Sequence, residues 1–83
     1  MYLAKIHVTL KKSVQDPQGV AISEALHHLG YQGVNNVRMG KYLEIKVQEN
    51  GGEDKTRADV DAMCQKLLAN TVIEHYEYTL EKI

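Results

Sequence analysis

The first ten residues alternate between apolar and polar side chains. The apolar positions are Tyr2, Ala4, Ile6, Val8 and Leu10, and the positions between them include Lys5, His7 and Thr9. A period of two is typical of a strand with one buried face, because successive side chains point to opposite faces of a sheet. The pattern therefore predicts a half-buried strand from Tyr2 to Leu10.

A helix is predicted next, over residues 17–29. Asp16-Pro17 favours a helix start, because an aspartate caps free N–H groups and proline suits the first helical position. Apolar side chains then recur on one helical face, at Ile22, Ala25, Leu26 and Leu29. Gly30 suits the left-handed position that often follows a helix.

A hairpin is predicted after this helix. Val37 and Met39 share one face of its first strand, and the second strand carries apolar residues at Leu43, Ile45 and Val47. Gly40-Lys41 marks the turn. Because a two-residue loop would mix the two faces, we expect a three-residue connection or a bulge.

The last third of the chain predicts a loop, a helix and a strand. Gln48 to Lys55 is polar and contains Gly51-Gly52, which indicates an exposed mobile loop. Thr56 is the predicted cap of the second helix, which ends near Asn70. Its apolar stripe consists of Val60, Met63, Cys64 and Leu67. The last strand is predicted from Ile73 to Leu80.

The order β-α-β-β-α-β is typical of an α+β, ferredoxin-like fold. We expect one domain over residues 1–83, with a four-stranded antiparallel sheet and both helices on one face. The opposite face is predicted to be polar and of mixed charge, with Lys5, His7, Thr9, Arg38, Glu44, Lys46, Glu77 and Thr79. Self-association is expected at the sheet edges or the hairpin tip.

Composition excludes several classes of function. Ten Lys and Arg against eleven Asp and Glu leave no basic excess for nucleic acid and no polybasic run for a membrane. Cys64 is the only cysteine, so an internal disulfide and a Cys-rich metal site are excluded. A reducing, cytoplasmic setting is therefore expected.

The chain lacks an obvious catalytic or metal-binding set. His27 and His28 are adjacent, so they diverge by about 100° on a helix and cannot chelate one ion together. His7 and His75 form the one plausible pair, and we predict no metal site. Cys64 lies within an apolar stripe, which indicates a buried core thiol.

Two features are candidate contact surfaces. In Asp16-Pro17-Gln18-Gly19, a glycine near a helix start either admits another backbone or belongs to a capped turn. Arg38 and Lys41 flank Gly40 and can hold an acidic partner surface or a phosphate, or can solubilise an exposed turn. The residue pattern leaves these alternatives open.

Several segments of the chain form a combination that is more specific than any one of them. In chain order they are Val8-Thr9-Leu10-Lys11, Asp16-Pro17-Gln18-Gly19, residues 25–31, residues 37–44, residues 64–70 and residues 72–74. Together they resemble the PurS family, the small subunits of bacterial and archaeal phosphoribosylformylglycinamidine (FGAM) synthase. Two loops depart from the family pattern: Lys12-Ser13 stands where Pro-Gly is frequent, and Asn70-Thr71 where Asn-Pro is frequent.

The resemblance implies a role in de novo purine synthesis. FGAM synthase converts formylglycinamide ribonucleotide, glutamine and ATP to FGAM, glutamate, ADP and phosphate. The resemblance implies a glutaminase partner (PurQ) that releases ammonia, and a synthetase partner (PurL) that uses ATP and Mg. The small subunit is then non-catalytic, binds no cofactor, forms a homodimer or higher homo-oligomer, and bridges the two partners to assist ammonia transfer.

The family signature also implies a partner-binding set. The signature falls on Asp16, Pro17, Gly19, Gly30, Arg38, Gly40 and Lys41. The partner-binding set that we predict from it is Asp16, Pro17, Gln18, Gly19, Arg38, Gly40 and Lys41, with Arg38 and Lys41 expected to contact the synthetase. Two alternatives stay open: an ACT-like regulatory domain that senses an amino acid at a dimer interface, and a small stand-alone enzyme.

Overall fold

A computed structural model of the chain describes residues 1–49 and 51–83. The elements, in chain order, are β1 (Tyr2–Leu10), α1 (Pro17–His28), β2 (Gly40–Val47), α2 (Glu53–Met63) and β3 (Glu74–Lys82). A π-helical turn, Cys64–Leu68, continues α2. The α+β class is thus confirmed, and β1 has the predicted bounds.

The sheet is antiparallel and has three strands in the described residues, in the order β2-β1-β3. β1 is central, and Ile6 lies opposite Leu43 on one side and Tyr78 on the other. The prediction of four strands, and of a hairpin turning at Gly40-Lys41, is therefore wrong. Gly40 instead begins β2, which pairs with β1 along its whole length.

Contacts of residues 37–39 with the start of α1 explain the missing strand. The N–H of Met39 donates to the side chain of Asp16 at 2.7 Å, so it is not available for a sheet partner. Val37 packs against the start of α1, where its carbonyl oxygen lies close to Gly19. Residues 31–39 therefore lie alongside the first helix, and no strand forms there.

The hydrophobic core lies between β1 and the second helical segment. Ala4, Ile6 and Val8 are fully buried and pack with Val60 and Cys64. Burial raises the pKa of the Cys64 thiol, and the Asp61 carboxylate adds to the shift. The prediction of Cys64 as a buried core residue is confirmed.

The first helix has the predicted start, but it does not pack as expected. Asp16 caps it, Pro17 is its first residue, and Gly30 follows with φ 100°. Within the described residues, no α1 side chain belongs to the core cluster. Ile22 and Leu29 on its apolar face are 37% and 73% exposed, so the expectation of two helices on one face of the sheet is wrong.

The second helix begins earlier than predicted. Gly52, with φ 95°, precedes its first residue, and the Thr56 hydroxyl donates to the Gly52 carbonyl oxygen at 2.9 Å. Thr56 thus lies inside the first turn and is not the cap. Of the predicted loop from Gln48 to Lys55, the last three residues are helical, and Asn50 lies outside the described residues.

The sheet face away from α2 carries the predicted polar residues. Strand parity places Lys5, His7, Thr9, Glu44, Lys46, Glu77 and Thr79 there. Arg38 lies outside the strands, contrary to expectation. Tyr42 is an unpredicted member, and its ring lies 4.7 Å from that of His7.

Candidate partner-binding site at the root of the arm

Residues 11–39 form an arm, in which α1 leads away from β1 and a return segment (residues 31–39) comes back to β2. Two hydrogen bonds join α1 to the return segment beyond the middle of the helix. Nε2 of His27 donates to the Val34 carbonyl at 2.8 Å, and the Gln32 amide donates to the His27 carbonyl at 2.8 Å. The arm therefore has internal structure although it contributes nothing to the core cluster.

Asp16 fastens the arm at its root. Its side chain is 8% exposed, and its Oδ1 accepts from the Gly19 N–H at 2.9 Å. Its Oδ2 accepts from the Met39 N–H. One carboxylate therefore joins the start of α1 to the residue before β2.

These bonds favour the ionised carboxylate. The Gly19 N–H is the main cause that holds the pKa of Asp16 below its ordinary value of 3.8. The Met39 N–H is the second favourable contact, and the Arg38 charge contributes further. Because the carboxylate already has these donors, Asp16 acts as a structural cap and latch.

Gly19 permits a close backbone contact. A Cβ atom here would lie 2.1 Å from the Val37 carbonyl oxygen, well inside van der Waals contact. Glycine is therefore required where α1 meets the return segment. Of the alternatives that the sequence left open, the approaching backbone and the capped turn both occur, and the backbone belongs to this chain.

Arg38 ties the return segment to the end of β1. Its Nη2 donates to the Lys11 carbonyl oxygen at 3.1 Å and also to that of Leu10. The guanidinium is exposed, so its outer N–H groups remain accessible to a partner. Arg38 thus combines a structural contact with a charge at the surface.

Gly40 and Lys41 begin β2. A Cβ atom on Gly40 would lie 2.6 Å from the Val8 carbonyl oxygen, so this glycine allows the strands to approach. Nζ of Lys41 lies 3.7 Å from Oε2 of Glu74 on β3. The glycine between Arg38 and Lys41 is therefore part of a strand rather than a flexible turn.

The structure brings most of the predicted set to the root of the arm. A cavity of about 420 Å³ there is lined by Val8, Leu10, Asp16, Gln18, Met39, Gly40, Lys41 and Glu74. Arg38 lines a neighbouring cavity of about 450 Å³. The sequence did not indicate Met39, which its bond to Asp16 holds here, or Glu74, which the pairing of β3 with β1 brings to this point.

Neither a metal cluster nor a membrane span is found in the part of the chain that the structure describes. It holds no group of three His, Cys, Asp or Glu side chains placed to bind a metal ion. Its helices are too short and too polar to cross a membrane.

Comparison with known proteins identifies the family. The family model for PurS, phosphoribosylformylglycinamidine (FGAM) synthase, matches residues 3–82. The chain belongs to the PurS family. It is 47% identical to the phosphoribosylformylglycinamidine synthase subunit PurS of Bacillus subtilis, over 100% of this chain and 96% of that protein. The corresponding Methanocaldococcus jannaschii subunit is 43% identical, over 100% and 99%.

Solved structures agree with this assignment. Bacillus subtilis PurS superimposes with a TM-score of 0.91 at 48% identity, over 99% of this chain and 100% of that one. A PurS-like chain in the structure of PurLQS from Thermotoga maritima matches with a TM-score of 0.83 at 27% identity, over 98% and 99%. The PurS fold therefore extends over essentially the whole chain.

Proposed function

We propose that this protein is the non-catalytic small subunit of a cytoplasmic FGAM synthase. It bridges a glutaminase subunit (PurQ) and a synthetase subunit (PurL), and the synthetase uses ATP and Mg. The observation that carries the proposal is full-length similarity to PurS subunits, including one from a structure of PurLQS. The reaction of such a complex is the formation of FGAM from formylglycinamide ribonucleotide, glutamine and ATP.

The shape of the chain suits a bridging role. The molecule measures 52 × 27 × 14 Å, so it is long and thin for 83 residues. The bonds of Asp16 and Arg38 hold the root of the arm at two points. Ammonia transfer needs two active sites at a fixed separation, and a stiff spacer between subunits can maintain it.

The root of the arm is the proposed contact with the synthetase. Pro17 and Gln18 are exposed beside the latch formed by Asp16, and Arg38 and Lys41 are exposed cations nearby. Contacts of Arg38 with β1 mean that its replacement would also loosen the arm. Lys41→Glu, with Gln18→Ala as a second variant, therefore tests binding with less damage to the fold.

Self-association is the second part of the proposal. The arm exposes apolar side chains at Val20, Ile22, Leu29 and Tyr31. In addition, β2 and β3 each have one edge without a neighbouring strand in the described residues. Exposed apolar side chains and free strand edges are both typical of surfaces that bind another chain, and we propose a homodimer or higher homo-oligomer.

Reconstitution tests the proposal directly. The chain is added to purified glutaminase and synthetase subunits from the same organism, and glutamine-dependent FGAM formation is measured. We expect formation to depend on the chain. A bridge that passes ammonia between subunits predicts that free ammonium salts restore activity when the chain is absent.

Two outcomes would contradict the proposal. Glutamine-dependent activity that is equal with and without the chain would rule out a bridging subunit. If the chain also bound an amino acid saturably, the ACT-like regulatory function would replace it. Turnover of glutamine or ATP by the isolated chain would instead make it an enzyme in its own right.

A further inference from the structure

A group of basic side chains lies where the arm leaves the sheet. Lys11, Lys12, Arg38 and His75 line the cavity of about 450 Å³, together with Thr9 and Leu10. We call these four basic side chains the cationic corner. They come from three separate segments: the end of β1 with the residues after it, the return segment of the arm, and the start of β3.

The tertiary structure assembles this group. Thr9 on β1 pairs with His75 on β3, so the histidine joins the two lysines at one end of the sheet. Arg38 reaches the same place because its Nη2 bonds the Leu10 and Lys11 carbonyls. Lys11 and Arg38, which are 27 positions apart in the chain, thus share one surface.

Of the acidic residues around the corner, Glu74 and Asp16 have hydrogen-bond partners outside it, whereas Glu77 faces His75. Glu74 accepts from the Asn70 N–H at 2.7 Å and lies 3.7 Å from Lys41. Asp16 accepts from two backbone N–H groups. Glu77 lies 3.4 Å from His75 at the border. Lys11 and Lys12 form no ion pair in residues 1–49 and 51–83, so positive charge remains on a chain of net charge −1.

The form of the corner favours an extended ligand over a single small anion. All four basic side chains are exposed, and no glycine with positive φ lines the cavity. Small phosphate sites usually concentrate backbone N–H donors or buried cations around one point. Here the charges are spread over a surface, which matches several carboxylates on another protein.

We propose that the cationic corner docks a carboxylate-rich surface of the synthetase subunit in the FGAM synthase complex. The proposal rests on the proposed function and adds Lys11, Lys12 and His75 to the contact. It also assigns the corner a role in the rate of association, since exposed charges mainly steer the encounter.

The test compares two charge-matched double variants in the three-subunit mixture. K11E/K12E reverses two charges in the corner. K46E/K82E makes the same change in net charge at the far ends of β2 and β3, where these lysines pair with Leu3 and Tyr2. Leu3, the partner of Lys46 on β1, lies about 20 Å along the sheet from Thr9.

We expect K11E/K12E to slow association with the glutaminase and synthetase subunits by about tenfold or more at low salt. The difference from wild type should nearly vanish at about 1 M salt, where charges are screened beyond about 3 Å. K46E/K82E should associate at close to the wild-type rate. Circular dichroism of both variants establishes that the fold is retained.

Wild-type assembly separates this proposal from the proposed function. If the wild-type chain assembles and K11E/K12E assembles equally fast, the corner is not a docking site, although the chain is still a subunit. An equal loss in both variants would show a general charge effect and overturn the location. Saturable binding of inorganic phosphate that is lost in K11E/K12E, with unchanged assembly, would assign the corner to a small anion.

Discussion

Hydrophobic packing holds one part of the molecule, whereas polar contacts hold the other. The body, made of the three strands with α2 and its π-helical turn, buries Ala4, Ile6, Val8, Val60 and Cys64. In the arm, residues 11–39, all described by the structure, only Asp16 and Gly19 are buried. The body therefore has a hydrophobic core of its own, while the arm depends on a few bonds at its root.

The difference explains why the arm exposes apolar residues. A helix of about 12 residues is marginal in water by itself, so α1 needs tertiary contacts to persist. Asp16, Arg38 and the Gly19–Val37 contact provide them at one end. The apolar face of α1 is then free for another chain, which is the arrangement that an assembly subunit needs.

The largest expected effect comes from truncating the centre of the body. Ile6→Ala removes a fully buried side chain and should lower the free energy of unfolding by about 2–5 kcal/mol. Ile22→Ala in the arm should cost less than about 1 kcal/mol, because Ile22 is outside the core. Urea denaturation measures both. Equal losses would mean that the arm shares the core of the body.

The contact of α1 with the return segment is the next test. Gly19→Ala places a Cβ against the Val37 carbonyl and should destabilise the chain by about 1–3 kcal/mol. Hydrogen exchange should show lost protection in the arm before the body. Gly33→Ala is the matched control, since a Cβ there meets nothing within 4 Å. If Gly19→Ala left the free energy of unfolding unchanged, the backbone at the root of the arm would be able to move away from the added Cβ at no cost.

The two hydrogen bonds that the Asp16 carboxylate accepts predict that the stability of the chain depends on pH. Asp16→Asn retains one acceptor but cannot accept from both Gly19 and Met39, and we expect the Tm to fall by about 5 °C at neutral pH. The folded pKa of Asp16 is depressed, so its stabilisation is present above the ordinary value of 3.8 and is lost as pH falls through the folded pKa.

The Tm values of wild type and Asp16→Asn should therefore approach each other in acid. Wild type and Asp16→Asn are expected to differ most near neutral pH, and progressively less as the pH falls through the folded pKa of Asp16 and the wild-type carboxylate becomes protonated. Calorimetry over this range checks the sign. A difference that stayed constant from neutral to strongly acidic pH would show that the charge of Asp16 does not contribute.

The smallest effect on folding is expected at the tip of the arm. Leu29 is 73% exposed, so Leu29→Ser should change the free energy of unfolding of the monomer by less than about 0.5 kcal/mol. Sedimentation velocity should nevertheless show weaker self-association if the arm packs on a second copy. His28→Ser, at the neighbouring exposed position, is the control. Unchanged association would place the interface at the sheet edges.

The contacts of the candidate site were only partly predictable. Local chemistry specifies the Asp16-Pro17 start of α1 and marks Gly19, Arg38 and Gly40 as unusual. Nothing local specifies that Asp16 would also bond Met39, 23 residues away, or that Lys41 would lie by Glu74. Those partners depend on the order β2-β1-β3, which periodicity does not encode.

The sequence alone determined the elements whose signals are local: the alternation of β1, the cap and end of α1, and the buried positions Val60 and Cys64. Leu67, in the same predicted stripe, lies in the π-helical turn and is 83% exposed, so that part of the prediction is wrong. Tertiary structure decided where α1 would lie, because an amphipathic helix has the same pattern whether it covers its own sheet or another chain. It also decided that residues 31–39 lie alongside α1, because the Asp16 carboxylate, and not a neighbouring strand, accepts from the Met39 N–H. Patterning fixes which face of an element is apolar, and only packing selects what covers that face.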